Sequence, residues 1–89
     1  MISQTQLQAV EKRIATATLN DDLIMQLRTE FAPLHFTYCA DDDVGSISPI
    51  SENDGFNLYL IDGREHCLTL TLDLQTATGI VVAEVYPDD

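Results

Sequence analysis

Bases are scarce in this chain: Lys12, Arg13, Arg28 and Arg64 stand against fifteen acids, for a formal net charge of −11. A field of that sign repels phosphate backbones and anionic lipid headgroups, so direct binding to nucleic acid or to a membrane is not expected. Long apolar runs are also missing. The longest, Ile80-Val81-Val82-Ala83, falls far short of the ~20 residues that cross a bilayer. The start, Met1-Ile2-Ser3-Gln4, has neither the basic nor the apolar stretch of a secretory signal, which points to a cytoplasmic protein. Cysteine occurs only at Cys39 and Cys67, without CxxC spacing. In a reducing compartment both are expected as thiols in or near the interior. There is no glycine-rich phosphate loop, no GxSxG and no HExxH, so neither an enzyme nor a bound cofactor is expected.

What is present is a normal globular share of apolar residues, 45% of 89. One α+β domain over residues 1–89 is the expectation. Ser3 followed by Gln6 is a capping-box pattern, and Leu7, Val10, Ile14 and Ala17 then mark one face of a first helix. Asn20 or Thr18 can cap a second helix, with Asp21 and Asp22 in its first turn and Leu23, Ile24, Leu27 and Phe31 on its apolar stripe. Pro33 ends it. Two such helices joined by a few residues predict an antiparallel helical hairpin.

The remainder alternates with period two. Strands are predicted around Leu34–Cys39, Phe56–Ile61, Cys67–Leu72 and Ile80–Val85. The last is apolar at nearly every position, as a central strand covered on both faces would be. The expected architecture is ααββββ: the hairpin packed on one face of a four-stranded, mostly antiparallel sheet. Asp62-Gly63 marks a turn between the second and third of these strands. A three-residue loop there would pair Phe56 with Leu68 and keep Phe56, Leu58, Leu68 and Leu70 on one buried face. This predicts a left-handed Gly63 in a bulged type I turn. The opposite face, with Thr37, Asn57, Tyr59, Thr69 and Thr71, is expected to be polar and wet.

Residues 40–55 show no periodicity, and irregular segments this long are uncommon unless they carry function. The segment opens on Asp41, Asp42 and Asp43, carries Val44, Ile47 and Ile50 at every third position, and closes near Asp54. Apolar residues spaced along an acidic arm suit a docking segment that orders on a partner. The competing reading is that Ile47 and Ile50 tuck under the edge of the sheet. Calcium is disfavoured as a specific ligand. Three consecutive aspartates point in different directions, and the spacing is not that of a cation loop. His35, Cys39, His66 and Cys67 do not make a zinc site either. His35 and Cys39 lie ~13 Å apart along a strand, and His66 and Cys67 point to opposite faces.

The acids are unevenly placed. The charges of residues 1–29 cancel, whereas residues 30–89 hold twelve acids against Arg64 alone. The reading this favours is a small interaction or regulatory module that binds a basic protein, with Asp41, Asp42, Asp43, Val44, Ile47, Ile50 and Asp54 as the contact residues. The alternatives are a DNA mimic and a divalent-cation-binding protein using the 40–55 loop. High charge kept only for solubility competes with all three. The segments HFTYCADDD (35–43), GFNLYLIDG (55–63) and ATGIVVAEV (77–85) resemble those of a family of short acidic bacterial proteins of unknown function. That resemblance implies a bacterial, cytoplasmic setting and assigns no residue a role.

Overall fold

The computed structural model describes residues 2–44, 47–63 and 69–85. Helix α1 runs Gln4–Ala15 and begins where the cap pattern places it. The Ser3 hydroxyl accepts from the Gln6 backbone N–H at 3.0 Å, and the Gln6 side chain accepts from the Ser3 N–H at 2.9 Å. Two otherwise orphaned donors are thereby satisfied. Leu7, Val10 and Ile14 are buried. The helix stops before Ala17, which is exposed: the Thr16 hydroxyl turns back onto the carbonyls of Lys12 and Arg13 and competes with further helix.

Helix α2 runs Asp21–Glu30, with the Asn20 side chain accepting from the Leu23 N–H at 2.9 Å. Leu23, Ile24 and Leu27 are buried. The Arg13 guanidinium donates to Gln26 and pairs with Glu30 at 3.2 Å. An antiparallel hairpin would bring Arg13 beside the first turn of α2. Its partners near the far end show that the helices do not lie in that register.

Five strands follow: β1 His35–Ala40, β2 Ser51–Asn53, β3 Phe56–Asp62, β4 Thr69–Thr71 and β5 Gly79–Glu84. The sheet is mixed, not the four-stranded, mostly antiparallel one expected from sequence. Its order is β1-β5-β3-β2, with β4 also paired to β3. β1 lies parallel to β5, and β3 is antiparallel to β2, β4 and β5. β2 takes the first half of one edge of β3 and β4 the second half. The parallel pair sets His35 against Gly79, where a Cβ would lie 2.7 Å from the His35 carbonyl oxygen. Only glycine admits that approach.

The Asp62-Gly63 turn is corrected. β3 runs on to Asp62, and Leu60 pairs with Thr71 and Ile61 with Leu70. The tight hairpin forms at the other Asp-Gly, Asp54-Gly55. There Asn53 pairs with Phe56, and Gly55 takes a φ of +86°. The expected register presupposes one buried face, whereas both faces are buried. Phe56, Leu58, Leu60, Ile80 and Val82 pack with both helices and with Ile2. Tyr59, Ile61, Val81 and Ala83 form a second cluster on the outer face, with Leu70 beside it. Leu70 therefore lies opposite Phe56 and Leu58 in facing, and Leu68 is outside the described residues. β5 is central and buried on both sides from Gly79 to Ala83, as its continuous apolar run predicts. Among the described residues, no helix is long and apolar enough to cross a membrane.

Candidate functional site

Within the 40–55 segment, a strap carrying Val44 and Ile47 lies over the outer face of the sheet, and Ser51–Asn53 enters the sheet as β2. Asp41–Asp43 forms a single 3-10 turn, in which the Val44 N–H donates to the Asp41 carbonyl at 3.1 Å. Val44 and Ile47 are half-buried against Tyr59, Ile61, Val81 and Ala83. Ile50 packs at the margin of the helix-side core, and its N–H donates to the Leu58 carbonyl at 2.8 Å. All three apolar residues proposed for docking therefore contact this chain's own core. The outer face is not the open, wet surface expected at Tyr59, which is only 4% exposed.

Asp41 fixes this strap to the sheet. Its Oδ1 accepts from the Tyr59 hydroxyl at 2.8 Å and from the Asn57 side-chain amide at 3.0 Å. Asn57 and Tyr59 sit two apart on β3 and so share a face. Burial first, and then the hydrogen bond and negative charge of Asp41, hold the Tyr59 phenol above its ordinary value. Asp42 and Asp54 are exposed, and Asp43 closes the 3-10 turn.

The register gathers acids at one end of the sheet. Ala40, just before Asp41, pairs with Glu84; Glu84 pairs with Phe56; and Phe56 pairs with Asn53 across the Asp54-Gly55 turn. Glu52 is exposed on β2 opposite Asn57. Glu84 is half-buried and accepts from the Tyr38 hydroxyl. Asp41, Asp42, Glu52, Asp54 and Glu84, distant in sequence, thus share one end. Among the described residues, no group of three or more histidine, cysteine, aspartate or glutamate side chains is placed to hold a metal ion. Cys39 is half-buried on β1, and His66 and Cys67 lie outside the described residues.

The other end of the sheet carries a cavity of about 610 Å³. Its walls include Arg28, Pro33, Leu34, His35, Phe36 and Ile61. Gly63 and Thr78 also line it, with the Gly63 N–H donating to the Thr78 hydroxyl at 2.9 Å. The Arg28 guanidinium donates to the Phe36 carbonyl through Nε at 3.3 Å and Nη2 at 3.0 Å. Sequence reasoning missed this site. Its residues come from α2, β1, the end of β3 and the turn before β5. The available signal was a base, Arg28, surviving on a helix in a chain with so few.

The chain belongs to a family of unknown function, DUF6129, whose model matches residues 9–85. No curated protein and no solved structure matches it.

Proposed function

We propose that this protein is a small interaction module whose acidic end docks on a basic patch of a partner protein, in a bacterial cytoplasm. One observation carries the reading: the strand register brings Asp41, Asp42, Glu52, Asp54 and Glu84 to one end of the sheet. Their spread in sequence makes this a product of the fold. Carboxylates clustered on a rigid support act together at distances within a Debye length, about 8 Å at physiological salt. They speed encounter with a cationic surface and exclude anionic ones. An end cluster also suits a compact basic patch better than the extended row of carboxylates that mimicry of duplex DNA requires.

The contact set is narrower than the sequence gives. Val44, Ile47 and Ile50 support the strap, and Asp41 is engaged with Tyr59 and Asn57. Among the described residues at that end, Asp42, Glu52 and Asp54 are exposed and available to a partner. The test is affinity capture from native lysate with the intact chain and with a D42N/E52Q/D54N variant, each eluted by a salt gradient. A basic protein held by the intact chain, released at moderate salt and lost with the variant is the expected result. Equal retention by both chains would defeat the reading.

A further inference from the structure

We infer that the cavity bounded by Arg28 and His35 binds a small monocarboxylic acid with an apolar body. This site is at the end of the sheet away from the acidic cluster, and the inference does not depend on the docking reading. The volume, about 610 Å³, falls within the roughly 300–1,000 Å³ usual for small-molecule sites. Pro33, Leu34, Phe36 and Ile61 give it apolar walls, Arg28 gives it a positive charge, and His35 gives it a polar ring. No carboxylate is among the described lining residues, although the chain as a whole has fifteen acids.

Arg28 is set up for an anion. Two of its five N–H donors hold the Phe36 carbonyl, which fixes the plane of the guanidinium. The others are left for a ligand. The ion pair found among the described residues is Arg13 with Glu30, so Arg28 keeps its charge unmatched there. The His35 imidazole is exposed at the cavity wall. A planar guanidinium fork matches a carboxylate in geometry as well as in charge.

The net charge narrows the class of ligand. Every negative charge brought to a protein of −11 is opposed by the long-range field. A monoanion meets that opposition once and is held by Arg28 at contact, where salt screens least. A nucleotide or other polyanion meets it several times over, with one fixed guanidinium to offset it. The apolar walls add affinity in proportion to the ligand surface they cover.

The experiment is a titration of the full chain followed by backbone and Arg side-chain NMR at constant ionic strength. The probes are hexanoate and phenylacetate, their uncharged amides, and adenosine monophosphate. Both acids are expected to give saturable shifts at Arg28, His35, Thr37, Gly63 and Thr78. The amides should bind about tenfold or more weakly, because they forfeit the charge-assisted bonds. R28K, which keeps the charge and loses the fork, should weaken the acids by about tenfold while leaving the rest of the spectrum native. The wild-type comparison of acid with amide decides the matter even if R28K fails to fold. Equal affinity for acid and amide, no saturable shift with either acid at millimolar concentration, or tighter binding of adenosine monophosphate would each overturn the assignment.

Discussion

The two faces of the sheet are both buried, but by covers of different kinds. On the inner face, Leu58, Leu60, Ile80 and Val82 meet two capped amphipathic helices. On the outer face, Tyr59, Ile61, Val81 and Ala83 meet Val44 and Ile47 of the strap, whose described residues before β2 include one 3-10 turn. The inner cover carries its own backbone hydrogen bonds, so its cost in order is shared along each helix. Among the described residues, the outer cover is held by the Val44-to-Asp41 turn bond, the packing of Val44 and Ile47, and the Asp41 anchor. Burial alone therefore does not rank the two faces in stability. Segments with few apolar contacts and few internal bonds open first, at a fraction of the global unfolding free energy.

Leu58→Ala should give the largest effect. Leu58 is 0% exposed on the inner face, and removing its side chain should destabilise by about 2–5 kcal/mol. Val44→Ala on the half-buried strap should cost only about 1 kcal/mol. Urea unfolding of the two variants would measure the difference between the covers, and equal losses would abolish it.

Asp41→Ala comes next. It deprives the Tyr59 hydroxyl and the Asn57 amide of their acceptor, at about 1–3 kcal/mol. Hydrogen exchange should quicken at Val44 and Ile47 well before it changes at Leu7 or Leu27. Uniform quickening would mean that the strap and the helices open as one unit.

The smallest effect concerns pH. The Tyr59 phenol is held above its ordinary value of 10.0 by burial and then by Asp41. Between that value and its own, the unfolded chain has lost the phenol proton and the folded chain has kept it. Stability is thus intact below about pH 10 and falls as pH rises through that window. Tyr59→Phe should flatten this alkaline fall, as read by urea midpoints across the range. An unchanged slope would place the effect in other groups.

The same contrast explains what could be read from sequence. Ser3, Gln6 and Asn20 announce helix starts through local hydrogen bonds, and apolar residues recurring every three or four positions announce a face. Both signals lie within a dozen residues. The strap has no such signal. Val44, Ile47 and Ile50 fit neither a helix nor a strand, and what they cover depends on β3 and β5 lying beneath. Strand pairing fails for a related reason. Asp54-Gly55 and Asp62-Gly63 are identical dipeptides, and only the pairing of Asn53 with Phe56 makes the first the tight turn. The expected pairing of β3 with β4 presupposes a single buried face, and how many faces are buried is itself a tertiary property. Among the site residues, the aspartates were legible as charge. Their assembly with Glu84 at one end, and the meeting of Arg28 with His35 in a cavity, needed the parallel β1–β5 pair.

The outer edge of β3 is shared by two strands of three residues each, β2 and β4, placed end to end. A foreign strand seeking to extend the sheet there finds two short templates instead of one long one. Glu52, at the middle of the first, adds a charge that a growing stack would have to bring against its own copy. Self-templated fibre growth needs an uninterrupted row of open backbone groups. Two short strands placed end to end do not offer such a row on that side of the sheet, so its protection there does not rest on net charge alone.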